Sequence, residues 1–242
     1  FHQIPVAPED QPKTAFWWKT QIWMWTRMPF GARNATAHFQ RVVDAEIAKA
    51  GLQNHVASFV DDLLIYSRTA DEHVQHLEQV LSMLKGCGLK AHPDKTVICS
   101  STIEFLGHNI SADGLQPNEA KVMAIRALQP PSDVTGLWSV LGFIGYFRCY
   151  IPNFSKIPGL LDQLLRKGAT WKWEAPQQTA FDALKAELCT EGRVLRHMNP
   201  QKTLILHTDW SHEGIGAVLG QLDDQGNEYM VACISRFLNA HE

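Results

Sequence analysis

No apolar run in this chain is long enough to cross a bilayer, and Phe1 does not open a signal peptide. Cysteine is sparse and unpatterned. Cys87, Cys99, Cys149, Cys189 and Cys233 are odd in number, widely separated and form no Cys-x-x-Cys. That argues against a disulfide framework and suits reduced thiols in an intracellular protein. Among the eleven histidines only His73 and His76 share helical spacing, and without a third ligand nearby no zinc site is expected there. An initiator Met is also missing, as expected of a fragment of a longer polypeptide. Net charge is small, -3, which by itself argues weakly against a nucleic-acid binder.

What is present is a packed protein. The 242 residues are 45% hydrophobic and 19% charged, enough for one large domain or two to three smaller ones. The charge is unevenly spread. Between Gln116 and Lys172, Lys121, Arg126, Arg148, Lys156, Arg166, Lys167 and Lys172 stand against Glu119, Asp133 and Asp162, a local excess of four positive charges. Such a segment is compatible with a phosphate-facing surface, and equally with an ordinary solvated helical face.

The most informative stretch runs from Ser58 to Tyr66. Asp61 and Asp62 sit between two apolar, β-prone runs, Val56 to Val60 and Leu63 to Tyr66, where a tight hairpin is expected to turn. Asp-Asp is common turn chemistry. Two carboxylates at the tip of a rigid apolar hairpin can also hold a hard divalent cation.

Around this hairpin the pattern alternates strands and helices. Thr14 to Trp25, rich in Trp, reads as a hairpin with large faces to bury, core packing being the expectation and base stacking the alternative. A helix follows, capped by Asn34 or Thr36, with Phe39, Val42, Val43 and Ile47 on one face. A second, capped by Thr69 or Asp71, carries Val74, Leu77, Val80, Leu81 and Leu84 and ends at Gly86 or Gly88. Thr96 to Cys99 and Ile103 to Ile110 are expected as strands, Gly107 interrupting the second. Helices are expected over Asn118 to Leu128, Ser132 to Tyr150 (with Trp138, Leu141, Ile144 and Phe147 apolar), Pro158 to Lys167 and Glu174 to Leu188. Strands over Thr203 to Thr208, Gly216 to Leu222 and Glu228 to Ser235 close the pattern. Gly214, Gly216 and Gly220 have the wrong spacing for a dinucleotide loop. This order implies an α+β fold of sheets layered on helices.

Several short motifs occur in one order. Phe1-His2-Gln3-Ile4-Pro5-Val6 precedes Lys13-Thr14-Ala15-Phe16, Met28-Pro29-Phe30-Gly31, Phe39-Gln40-Arg41 and Phe59-Val60-Asp61-Asp62. Then come Phe105-Leu106-Gly107-His108, Tyr150-Ile151-Pro152-Asn153-Phe154-Ser155-Lys156, Thr208-Asp209-Trp210-Ser211 and Gly214 to Leu219. In this order they resemble the reverse transcriptase of gypsy-type long-terminal-repeat retrotransposons over essentially the whole chain.

The resemblance implies a right-hand polymerase palm with antiparallel sheet and helices, a helical thumb, and the truncated opening of a ribonuclease H-like α/β domain. The expected boundaries are 1–115 for fingers and palm, 116–170 for thumb, 171–200 for a connection and 201–242 for the ribonuclease H-like part. It implies that Asp61 and Asp62 are catalytic and bind metal, with a third Asp expected five residues before Phe1. The ions would be two Mg2+, with Mn2+ as the alternative. Asp209 would be a ribonuclease H metal ligand, in a domain expected to be inactive as truncated, while Glu242 is given no catalytic role. Phe1, Phe30 and Gly31 would meet the incoming nucleotide, and Phe105, Leu106, Gly107 and His108 the primer. The implied partners are an RNA or DNA template with its primer and deoxynucleoside triphosphates. No membrane partner is implied, a dimer stays open, and a cytoplasmic particle or the nucleus is the implied location. A catalytically inactive nucleic-acid-binding remnant is the alternative. The aromatic-rich hairpin and Gly136 and Trp138 in a thumb helix depart from the family pattern.

Overall fold

The computed structural model describes residues 1–152, 154, 159–190, 193–210 and 214–238, the side chain of Phe237 excepted. Asn153, Ser155 and Lys156 of the thumb-like stretch, Pro158 at its expected helix start, Ser211 and Glu242 lie outside the described residues. The chain forms two compact units, Phe1–Ser100 and Ser101–Glu242.

In the first unit β1 (Phe16–Trp18) and β2 (Gln21–Trp23) pair antiparallel, Phe16 opposite Trp23. The expected burial of their aromatic faces does not occur: Trp17 is 71% and Trp18 60% exposed. Two strands of three residues form a ribbon too small to make a core of its own. Helix α1 (Ala35–Lys49) starts at Asn34, which makes no side-chain cap, and Thr36 already lies inside the helix. Its stripe of Ala35, Phe39, Val43 and Ile47, spaced four apart, is buried. Strands β3 (Val56–Phe59) and β4 (Asp62–Ile65) form a hairpin.

Helix α2 (Ala70–Cys87) is fixed at both ends. Thr69 Oγ1 accepts the Glu72 amide at 3.2 Å, and Gly88 supplies the left-handed C-cap at φ +74°. Val80 and Leu84 join the core, while Val74 and Leu81, expected in the buried stripe, are exposed. The core gathers Ile4, Met28, Phe39, Val43, Ile47, Leu52, Val56, Val80 and Leu84. Thr96 to Cys99 is not a strand: among the described residues no strand pairs with it, and Val97 and Ile98 stay exposed.

The second unit opens with a three-stranded meander, β5 (Thr102–Phe105), β6 (His108–Ser111) and β7 (Gly114–Pro117). β7 was not expected from sequence. It is held partly by a distant partner, since Leu115 and Leu195 exchange backbone hydrogen bonds of 2.8 and 2.9 Å. Gly114, at φ +137°, is required there: a β-carbon would fall 2.2 Å from the Leu195 carbonyl oxygen.

Helix α3 (Glu119–Arg126) is capped by Asn118, and α4 (Val134–Tyr146) by Asp133, whose Oδ1 accepts the Gly136 amide at 2.7 Å. The expected helix to Tyr150 instead ends at Tyr146 and tightens into a 3-10 turn, Arg148–Tyr150. The buried face of α4 is Leu137 and Ile144, with Leu141 partly covered. Trp138, expected among the apolar positions, is 62% exposed because it lies about 100° around the helix from Leu137. After α5 (Gly159–Gln163), α6 (Ala175–Leu188) begins with a capping box between Glu174 and Gln177. Leu184 and Leu188 of α6 pack with Ile125, Ile144, Phe147 and Tyr150, and its Ala180 and Phe181 with Leu137, Leu161 and Leu164.

Strands β8 (Ile205–Trp210), β9 (Gly214–Leu222) and β10 (Glu228–Phe237) make an antiparallel sheet in the order β10-β9-β8. Gly214, Gly216 and Gly220 all lie within β9. Gln221 is fully buried and fully engaged. It accepts the Asn199 amide at 2.8 Å and donates to the Asn199 and Lys202 carbonyls at 2.8 and 3.0 Å, pinning the chain that leads into β8.

Candidate active site

The acidic pair stands at the tip of the β3–β4 hairpin, but the turn is not the Asp pair itself. Phe59 pairs with Asp62, so the two loop residues are Val60 and Asp61, and Asp62 is the first residue of β4. Both carboxylates are exposed. Val60 takes φ +55°, and as a β-branched residue in the left-handed region it costs on the order of 1–3 kcal/mol. A two-residue hairpin favours this, because primed turns match the strand twist better than types I and II.

Helix α1 holds that turn. Gln40 Oε1 accepts the Val60 amide at 2.5 Å. The other end of the amide, Nε2, donates to Asp44 Oδ1 at 2.8 Å and to Ser58 Oγ at 2.9 Å. Ser58 Oγ donates in turn to Asp44 Oδ1 at 2.6 Å. Sequence reasoning missed this cluster. The i, i+4 pair Gln40 and Asp44 was its only local signal, because Ser58 and Val60 follow 18 and 20 residues after Gln40.

Two hard carboxylate donors on a fixed turn suit Mg2+, which binds through one or two carboxylates and keeps water or phosphate oxygens for the rest. Among the described residues no group of three or more His, Cys, Asp or Glu is placed to hold a metal, so Asp61 and Asp62 stand as a pair. His73 and His76, for their part, both approach the Ser67 hydroxyl, at 3.3 and 2.7 Å. Phe1 packs edge-on against Phe30 and against Phe39 of α1, each at 5.6 Å between ring centres. Phe30 is 71% exposed, and Gly31 follows at φ +82° with open space where a β-carbon would be.

In the second unit, Phe105 and His108 flank the two-residue turn of the β5–β6 hairpin. Leu106 and Gly107 both have positive φ, +52° and +73°, as a type I′ turn requires. Tyr146 donates to the Leu106 carbonyl at 2.7 Å and lies stacked against the His108 ring, 5.4 Å between centres. Tyr150 meets His108 Nδ1 at 2.8 Å, and the Asn118 amide donates to the Gly107 carbonyl at 3.0 Å. Burial lowers the His108 pKa and raises that of Tyr150, so both are neutral at pH 7 and the phenol can donate to the imidazole. Tyr146 was not singled out from sequence, and Tyr150 only as the start of the thumb-like motif.

Asp209 lies in β8 opposite Gly216 and is exposed. Two residues before it, His207 Nε2 contacts Glu228 Oε1 at 2.7 Å.

The family model for reverse transcriptase (RNA-dependent DNA polymerase) matches residues 1–110, and that for the RNase H-like domain found in reverse transcriptase matches residues 173–242. The chain is 33% identical to the Transposon Tf2-3 polyprotein of Schizosaccharomyces pombe over 235 residues, covering 97% of this chain and 18% of that protein. It is 36% identical to the retrovirus-related Pol polyprotein from transposon 297 of Drosophila melanogaster over 245 residues, covering 100% of this chain and 22% of that protein. The chain thus spans about a fifth of the length of these curated relatives. Among solved structures, the foamy viral protease-reverse transcriptase in complex with double-stranded DNA superposes with a TM-score of 0.81 at 24% identity, over 98% of this chain and 41% of that one. The same protein with an RNA/DNA hybrid gives 0.78 over 98% of this chain and 32% of that one. The fold is therefore that of a reverse transcriptase, with helices, antiparallel sheets and an RNase H-like part at the C-terminal end. Residues 1–110 thus belong to the reverse transcriptase family and residues 173–242 to the RNase H-like family found in reverse transcriptases, in a chain similar throughout to transposon polyproteins.

Proposed function

We propose that this chain is the polymerase fingers and palm (1–115), thumb (116–170), connection (171–200) and opening of the ribonuclease H-like domain (201–242) of a retroelement enzyme that copies RNA or DNA templates into DNA. The observation that carries the reading is the Asp61–Asp62 pair, displayed at the tip of a hairpin that α1 holds in one geometry. In the reaction, a primer 3′-hydroxyl attacks the α-phosphate of a deoxynucleoside triphosphate. The new oxygen–phosphorus bond forms as the bond to pyrophosphate breaks. Mg2+, or Mn2+ in its place, would be held by Asp61 and Asp62 and would neutralise charge on the attacking and leaving oxygens.

The chain's own groups position the substrates. The exposed ring of Phe30, the open backbone at Gly31 and the edge of Phe1 form the nucleotide-facing surface. The turn of Phe105, Leu106, Gly107 and His108, held by Tyr146 and Tyr150, supports the primer strand. Asp209 is assigned to metal binding in the ribonuclease H-like part. The partners are a primed template and deoxynucleoside triphosphates, and a dimer is the assembly to look for.

The test is nucleotide incorporation into a DNA primer on an RNA template by the polyprotein-derived enzyme that contains this chain. Extension that requires a divalent ion supports the proposal. Tight template binding without extension would mark a catalytically inactive remnant instead.

A further inference from the structure

We infer that Gln40 and Asp44 are positioning residues for the acidic pair, acting through the backbone of Val60. The inference rests on the polymerase reading above and adds to it a fixed polar relay from α1 to the hairpin tip.

A Gln amide has a donor end and an acceptor end, and its environment selects which way round it sits. Here Asp44 selects. Its Oδ1 takes hydrogen bonds from both Gln40 Nε2 and Ser58 Oγ. A flipped Gln40 would set its oxygen against that carboxylate and its NH2 group against the Val60 N–H. Only one orientation satisfies all four groups, and it aims Oε1 at the Val60 amide. Val60 is the residue that needs holding, because at φ +55° a β-branched side chain is strained and would relax if released. Asp61 follows it directly, and Asp62 follows Asp61, so rotation at Val60 swings both carboxylates. A displacement of about 1 Å at a reacting site can cost on the order of 10²-fold in rate.

The relay is testable in the polyprotein-derived enzyme by steady-state nucleotide incorporation, with thermal denaturation in parallel. Gln40→Met keeps the side-chain length and removes both polar ends. It should lower kcat roughly 10-fold or more. Asp44→Ala, at an exposed position, should give a smaller loss, and adding it to Gln40→Met should cost nothing further, since the two act as one unit. Introducing Val60→Gly into Gln40→Met should recover about 3-fold or more of kcat, because Gly takes positive φ without steric cost. General damage to packing would not be repaired by a glycine. Unchanged kcat in Gln40→Met and Asp44→Ala, or losses that add and that Val60→Gly leaves uncorrected, would overturn the relay. If Gln40→Met lowers the melting temperature too far to assay, Asp44→Ala with and without Val60→Gly decides the matter. Asp61→Asn runs alongside: full activity there would overturn the polymerase reading together with the relay, whereas an inactive Asp61→Asn beside a fully active Gln40→Met overturns the relay alone.

Discussion

The Tyr150 hydroxyl and His108 Nδ1 lie 2.8 Å apart across forty-two residues of chain, joining the end of the 3-10 turn after α4 to the β5–β6 hairpin. Burial lowers the pKa of His108, so folding disfavours its protonation. On acidification the unfolded chain takes up this proton first, near its ordinary value of about 6.5, while the folded protein resists until a lower pH. This contribution to stability is therefore complete above about pH 6.5 and lost as pH falls through that value toward the folded one. Melting temperatures measured between pH 7.5 and 5.5 should drop more for the unmodified protein than for His108→Gln. Equal drops would contradict the assignment.

The neighbouring contact, Tyr146 to the Leu106 carbonyl, is a neutral hydrogen bond that removal of one oxygen deletes. Tyr146→Phe should cost about 0.5–1.5 kcal/mol. For a chain of this size that lowers the melting temperature by roughly 2–4 °C per kcal/mol. An unchanged melting curve would show that the phenol does not hold the turn.

Two adjacent positions of α4 separate what the sequence pattern suggests from what packing decides. Leu137 is fully buried and Trp138 largely exposed. Leu137→Ala should destabilise by about 2–5 kcal/mol, whereas Trp138→Ala should change stability by no more than about 0.5 kcal/mol. Denaturant titration of the two variants checks this, and a larger loss at Trp138 would reverse the orientation given for the helix.

These residues also show where sequence reading succeeds and where it stops. The ends of α2 were legible because Thr69 and Gly88 carry their capping chemistry within a few residues of the helix. The β3–β4 hairpin was legible for the same reason, although the turn proved to be Val60–Asp61, since a two-residue loop places Asp62 opposite Phe59. Strand β7 was missed although it pairs with the adjacent β6, and part of its support, Leu195, lies eighty residues from Leu115. The tryptophans of β1 and β2 were read as core because large apolar side chains usually are, yet nothing in the first unit covers their short ribbon. Of the candidate site, the carboxylates were visible as a motif, while the contacts of Gln40 and of the two tyrosines became visible only when the fold brought distant segments together.

The central claim is that Asp61 holds the metal that activates nucleotide transfer. Its most direct measurement is primer extension by the polyprotein-derived enzyme carrying Asp61→Asn, at saturating divalent ion, with primer–template affinity measured in parallel. The account predicts a loss of incorporation on the order of 10²-fold or more, with affinity for the primed template little changed. Extension at the unmodified rate would contradict it.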